Sequence, residues 1–470
     1  MSVSRPWLYV NRILSALIAA AVAVCFFPMY HGWVATEWLL VLLPLFLMIQ
    51  PIPYLLYRRI PSAGEGRRKH ILSPSHTRHS LRCCAHGVEM LRIFLLSAVI
   101  AVTYHLVHLP LWGRESWGDW FMSAGVAVVA EALVFWNGMI CLYLHSVQLG
   151  VRRRVVGALC GMIPVVQVIA LKRIMEVVAD EVEVECARIA HNNARKEARV
   201  CATKYPILLV HGMFFRDFKH LNYWGRIPDE LEANGATIFY GQQHSAATVA
   251  ECARELTDRI EDIVRETGCR KVNVIAHSKG GLDMRYALQN FGVARYVASL
   301  TTVSTPHNGC IFADFLMGTV PEAAKNKIAD TYNKAARKLG DPNPDFLAAV
   351  SDLTASGCAA LEPMLAGESN PAPLEGIYCQ SVGTLLHRAS GGRFPMNVAY
   401  PLVRFFDGPN DGLVAETSFS FGEKYTLLKL VGERGISHMD ATDLNCENIE
   451  GFDVREFYVE LVTDLKERGL

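Results

Sequence analysis

Two kinds of apolar pattern divide the chain. In the first third the runs Ile13–Met29, Trp38–Tyr57, Leu91–Leu111 and Trp120–Leu149 are apolar on every side. Each is near the ~20 residues needed to cross a hydrocarbon layer. None shows the single apolar stripe of a helix in a soluble core. Four spans are expected. A fifth stretch, Val155–Leu171, is short and holds Gly157, Gly161, Pro164 and Gln167. It fits a span, a re-entrant segment or an interfacial helix. Ile174–Arg199 interleaves acids and bases and reads as a charged linker helix.

From Tyr205 the pattern changes to short β-rich runs alternating with amphipathic helices. Strands are expected at Ile207–Val210, Ala236–Tyr240, Val272–Ala276, Ala298–Val303, Gly376–Val382 and Tyr425–Val431. Helices are expected near Ala247–Glu266, Gly281–Phe291 and Val454–Lys466, with a semi-apolar helical stretch over 312–349. That alternation predicts a mostly parallel sheet covered on both faces. The expected order is thus an α-helical membrane domain (1–172), a linker (173–204) and an α/β domain (205–470).

Composition sharpens this picture. The hydrophobic share of 51% is high for a soluble protein, while 46 basic and 46 acidic residues cancel. A neutral chain offers no footprint for nucleic acid. The thirteen cysteines form no CxxC pair, so neither a zinc site nor a disulfide framework is legible. The seven beyond residue 200 read as free buried thiols. Arg5 and Arg12 precede the first apolar run. Arg58, Arg59, Arg67, Arg68, Lys69, Arg78 and Arg82 follow the second, and Arg152–Arg154 follow the fourth. The positive-inside bias then puts the N-terminus and the basic loop on the cytoplasmic side. Glu131, within the fourth run, is read as an interhelical hydrogen-bond partner of a histidine or Tyr104.

The chemistry gathers at turns. Val272–Ala276 is an apolar strand that breaks at Ala276-His277-Ser278-Lys279-Gly280 before a helix. A small-x-Ser-x-Gly turn between strand and helix is the nucleophile elbow of an α/β-hydrolase. Small residues let strand and helix approach, and the turn exposes the Ser278 hydroxyl. The strand Ile207–Val210 ends in His211-Gly212-Met213, where the Met213 N–H, with that of Lys279, would meet a developing oxyanion. Asp411 lies in Gly408-Pro409-Asn410-Asp411-Gly412, and His438 follows the last expected strand. Ser278…Asp411…His438 is the chain order of a triad on this fold. Histidines 211, 277 and 307 precede Asp411 and break that order.

Residues 205–470 resemble the bacterial true-lipase family, in both its pseudomonad-type and its staphylococcal and thermophilic-bacillus branches. The resemblance rests on Tyr205–Gly212, Ala276–Gly281, Thr301–Gly309, Phe312–Phe315, Asp352–Thr354, Asn410–Val414, His438-x-Asp440 and Phe452–Tyr458. It implies a lipase or esterase with Asp411 as triad acid; a lid within 312–349, with Gly340-Asp341-Pro342 as one hinge, is expected because lipids must reach a site that works best with water excluded. It requires no cofactor. A structural calcium is implied at Asp440, with Asp443 and Asn445 adding oxygens. Lys279 departs from the family's Gln or Met and predicts a cation beside the site. The substrate expected is a lipid or lipid-like acyl ester at the bilayer. An acyltransferase, or a transporter or membrane scaffold carrying a dead hydrolase fold, are the other readings. The cysteine usage leans toward a catalytic domain facing the cytoplasm.

Overall fold

The computed structural model describes residues 5–30, 32, 35–57, 78–160, 166–213, 223–338, 341, 343–366 and 374–470. They form two compact units that divide in sequence between Asn193 and Ala194. The basic loop at 58–77 lies outside the described residues, as does the centre of the ambiguous fifth stretch at 161–165.

In the first unit three helices are long and apolar enough to cross a membrane: Arg5–Val24, Arg78–Glu115 and Trp117–His145. The second expected span is instead broken into Leu39–Ile49 and Ile52–Leu56. Pro51 stands at the break. It has no N–H to donate, and its ring collides with the carbonyl four residues earlier.

Small residues sit where these helices meet. Ala16, Ala19, Ala20 and Ala23 are buried along the first helix. A Cβ on Gly138 would come within 2.8 Å of Leu91 and 3.0 Å of the Gly87 carbonyl. Such close approach drives helix association where apolar burial gives no preference for protein over lipid. Large aliphatics point outward, with Val107, Val128 and Leu144 all more than half exposed. Glu131 accepts a hydrogen bond from Ser97 Oγ at 2.8 Å, not from the expected histidine or tyrosine. His105 turns instead to Ser123 and to its own helix. Buried Glu89 is held by Arg12 at 2.6 and 2.9 Å. The helix Val166–Arg195 packs Leu171, Ile174, Met175 and Val178 against Val88, Leu91 and Leu142 of this unit.

The second unit is built on six parallel strands: β1 (Ile207–Val210), β2 (Ile238–Tyr240), β3 (Val272–His277), β4 (Val297–Val303), β5 (Tyr378–Thr384) and β6 (Lys424–Leu428). Their order is β2-β1-β3-β4-β5-β6, every pairing parallel. β1, β3 and β4 are buried at every position, so β1 reads as an unbroken apolar run, while the polar side chains of β3 and β4 pair inside the sheet, as Asn273 does with Ser299 at 2.7 Å. Alternation sorts their side chains. Ile207, Leu209, Ile275 and Val303 pack on one face with Trp224, Tyr458 and Val462. Leu208, Val210, Val274 and Leu300 pack on the other with Leu256, Ile260, Met284 and Leu288. The helix Val249–Thr267 starts at a reciprocal Thr248–Glu251 capping box. The helix Lys279–Asn290 follows β3 directly.

Candidate active site

The turn after β3 holds Ser278 at φ 54°, ψ −130°, a backbone conformation that a side chain rarely adopts. Ser278 donates its backbone N–H to Val303 at 2.9 Å, tying the turn to β4. Two glycines make the turn possible. A Cβ on Gly280 would collide with the His211 carbonyl, and one on Gly281 with the Thr305 hydroxyl. The need at 281 is visible only in three dimensions, because Thr305 arrives from the loop after β4. Lys279 opens the helix, so its N–H has no acceptor within it.

The loop after β1 passes directly against this turn. A Cβ on Gly212 would lie 2.8 Å from Ser278 Cβ and from the Tyr223 hydroxyl. Met213 is buried beside it. The continuation, 214–222, lies outside the described residues.

Asp411 and His438 meet beyond β5 and β6. His438 Nδ1 donates to Asp411 Oδ2 at 2.7 Å, and its backbone N–H donates to the Asp411 carbonyl at 2.9 Å. The fully buried carboxylate also accepts from the N–H groups of Leu413 and Val414, at 3.0 and 2.9 Å, on Oδ1. Asn410 braces the same turn by accepting from the Gly412 N–H and donating to the Tyr400 and Gly408 carbonyls. The imidazole is therefore fixed in one tautomer, Nδ1 protonated and Nε2 free to accept. The His438 ring lies 4.5 Å from the ring of His277, the residue before the serine. All three predicted residues thus stand at the C-terminal ends of the strands, where open α/β sheets bind ligands.

The other histidines are committed elsewhere. His211 bonds the Gly212 and Gln243 carbonyls. His307 lies between Thr302 and Arg285 and stacks on Phe421. His277 accepts or donates at 2.6 Å with the Tyr223 hydroxyl. Burial, then the neighbouring His438, hold His277 well below the ordinary imidazole value. It is a neutral ring packed against the one that pairs with Asp411. Sequence order alone gave Tyr223 no role, since nothing in its surroundings carries a motif.

Three expectations are corrected. Lys279 is not a cation beside the site. Its side chain is 2% exposed and its ammonium sits 2.7 Å from Asp283, one helical turn on and equally buried. Asp440 and Asp443 do not form a calcium cage. Asp440 takes two bonds from Arg434 and one from the Ser437 N–H. Asp443 takes the guanidinium and backbone N–H of Arg226 at 2.8 Å. Guanidinium groups occupy the lone pairs that a hard cation would need. Finally, Asp341 is no hinge: it is buried and bound by the Ser245 N–H and hydroxyl and by His244. Gly340 and Pro342 lie outside the described residues. The helix Ile311–Thr319 is held at its start by Asp407, which accepts from the Ile311 and Phe312 N–H groups at 2.7 and 3.0 Å.

The chain is similar to several known proteins. A family model described as palmitoyl protein thioesterase matches residues 206–341. A triacylglycerol lipase of Vibrio cholerae is 29% identical over 287 residues, covering 57% of this chain and 89% of the relative. Triacylglycerol lipase 2 of Saccharomyces cerevisiae is 31% identical over 286 residues, covering 54% of this chain and 76% of that protein. Among solved structures, the mature Bacillus licheniformis lipase BlEst2 aligns with a TM-score of 0.41 at 20% identity, over 55% of this chain and 92% of that one. Through its sheet-based unit the chain belongs to the triacylglycerol lipase family, and it is a carboxylic ester hydrolase.

Proposed function

We propose that Ser278, His438 and Asp411 are the nucleophile, base and acid of a membrane-anchored lipase or esterase that cleaves lipid acyl esters through an acyl-enzyme. The observation that carries the reading is the 2.7 Å bond from His438 to buried Asp411, with the His438 ring 4.5 Å from that of His277, which precedes a serine held on a positive-φ turn. In attack, the Ser278 hydroxyl turns to His438 Nε2 and gives up its proton as Oγ bonds to the ester carbonyl carbon. Asp411 stabilises the imidazolium. The N–H groups of Met213 and Lys279 receive the oxyanion. His438 then protonates the departing alcohol, and water, activated by the same base, releases the acid.

Three helices of spanning length support the anchoring. The lipase relatives support oxygen esters of lipids, and the thioesterase model supports long acyl chains as the group bound. We place the catalytic unit on the cytoplasmic face, since every cysteine of the chain is a free thiol, as a reducing compartment keeps it.

The test is fluorophosphonate labelling of the full chain in detergent, alongside hydrolysis of a series of acyl esters. Labelling of wild type but not Ser278→Ala, with matching loss of hydrolysis, is the expected result. A wild-type protein that hydrolyses esters without labelling at Ser278 would overturn the assignment. Impermeant maleimide applied to intact cells should leave a cysteine engineered on the catalytic surface unmodified. Ready modification reverses the side.

A further inference from the structure

Where the helices Arg78–Glu115 and Trp117–His145 come together at one end, three soft donors converge. His79 and Cys83 stand one turn apart on the first helix, and His145 closes the second. Their ligand atoms all lie within 4.8 Å of one another. We propose that His79, Cys83 and His145 bind a zinc ion through two imidazole nitrogens and one thiolate, with solvent in the fourth position.

The distances suit that ion. In tetrahedral zinc with Zn–S of about 2.3 Å and Zn–N of about 2.05 Å, the S···N edge is about 3.6 Å. Cys83 Sγ and His79 Nε2 are 3.5 Å apart. His79 is exposed and His145 half-buried, so neither ring is locked in a packed core.

The outer partners are also those that metal-bound histidines use. A ligating imidazole donates its other N–H to a carbonyl or similar acceptor, which fixes the tautomer and aims the ring. His145 Nδ1 meets the Cys141 carbonyl at 3.1 Å, leaving Nε2 turned away from its own helix. His79 Nδ1 meets the Tyr54 hydroxyl at 2.9 Å, leaving Nε2 toward Cys83. Tyr54 is itself held in place: Arg82 lies 3.9 Å over its ring and donates to its carbonyl at 2.8 Å. Both histidines thus present Nε2, with Nδ1 committed. The two rings stand edge to face, with centroids 5.5 Å apart.

Binding would release the Cys83 thiol proton to solvent as the thiolate coordinates. The ion would then add a clamp to two helices that already meet through Leu91, Met139, Leu142 and the Phe94–Phe135 ring pair. The sequence hides this site. Two ligands share one helix at a four-residue spacing, and the third lies more than sixty residues on, with no paired-cysteine motif to announce them.

The test uses the full chain in detergent, loaded with zinc and dialysed, and read by elemental analysis. About one zinc per chain is expected in wild type. Cys83→Ser and His145→Ala should each lower it by about tenfold or more. Cobalt should give a thiolate charge-transfer band in wild type that zinc displaces and that is missing in Cys83→Ser. Because these variants may not all fold, two further readouts are used. Zinc, but not magnesium, should raise the unfolding temperature of wild type. Tyr54→Phe, which keeps all three ligands, should weaken binding by about tenfold. A wild type that stays below about a tenth of an ion per chain after loading, with no zinc-dependent rise in unfolding temperature, overturns the proposal. So does zinc retained at full occupancy in folded Cys83→Ser and His145→Ala.

Discussion

The helical unit and the sheet-based unit both bury large apolar side chains, but the helical unit also exposes many of them. In the sheet-based unit the large side chains go inside: Trp224, Tyr458 and Phe419 are at most 1% exposed. In the helical unit alanines and carboxylates are buried beside Phe46, Leu91 and Leu142, while many other leucines and valines face out. The two share a chain with one overall hydrophobic content. The difference teaches that apolar content does not locate a core. What surrounds the element decides which side chains it hides. In water, burial of apolar area drives packing. Against lipid that drive vanishes, and close backbone approach and hydrogen bonds replace it.

The two units also use buried charge differently, and this is where the comparison can be broken. The carboxylate of Asp411 is held for a proposed chemical task, whereas Glu89 serves its neighbours. The largest effect is expected in the sheet-based unit. Ser278→Ala and His438→Ala should each lower kcat by on the order of 10⁶, and Asp411→Asn by about 10⁴, with the unfolding temperature nearly unchanged. Steady-state ester hydrolysis and thermal unfolding of the same samples check this. Folded His438→Ala with near-normal turnover would remove the distinction between the two kinds of buried charge.

The next effect is on stability and comes from the pair beside the nucleophile. Lys279→Met leaves Asp283 buried without its ammonium and should destabilise the sheet-based unit by about 3–5 kcal/mol. Adding Asp283→Leu should recover most of that. Because position 279 is proposed to act through its backbone, kcat in the double variant should stay within a fewfold of wild type. A large kcat loss there would show that the charge reaches the site after all.

A smaller loss is expected from Gly138→Val, which drives a side chain into Leu91 and the Gly87 backbone. Overpacking of this kind costs about 1–3 kcal/mol. Unfolding temperature in detergent should fall while hydrolysis per folded molecule holds. Parallel loss of both would mean that the two units are not separable in function.

The smallest effect is one of pH. Burial pushes the Asp341 carboxyl up, but hydrogen bonds from Ser245 and His244 more than offset it and hold it below its ordinary value. A group depressed in the folded state stabilises fully above its unfolded pKa, about 3.9, and loses that contribution as pH falls through the folded value. Asp341→Asn should therefore lower the unfolding temperature at neutral pH and flatten its fall below about pH 4. An unchanged acid limb would show that the clasp is indifferent to charge.

All six strands were legible, with bounds off by up to three residues at β2, β5 and β6, because buried parallel strands are short, largely apolar runs closed by turn residues. The three candidate residues were legible from chain order around one turn. Other features were not, for reasons that are spatial. The destination of Lys279 depends on Asp283 lying one helical turn on, which a motif centred on Ser278 does not contain. The fate of Asp443 depends on Arg226, 217 positions away. The second apolar run is interrupted at Gln50-Pro51 but stays apolar on both sides, so hydropathy summed over the run passes over a break that a missing N–H creates. The helix Met396–Asp407 escaped because Pro401 sits inside it and its outward face carries Val398, Leu402 and Phe405.

The backbone of Ser278 has an evolutionary consequence. A residue in such a strained conformation costs about 1–3 kcal/mol, and glycine would relax it. The fold by itself therefore favours losing the hydroxyl, and only selection on turnover keeps it. Descendants freed from that selection should drift to glycine at 278 while keeping Gly280 and Gly281, whose absence of a side chain the packing still demands. Read across such a lineage, the identity of this one position would date the loss of chemistry more sharply than decay of the rest of the chain.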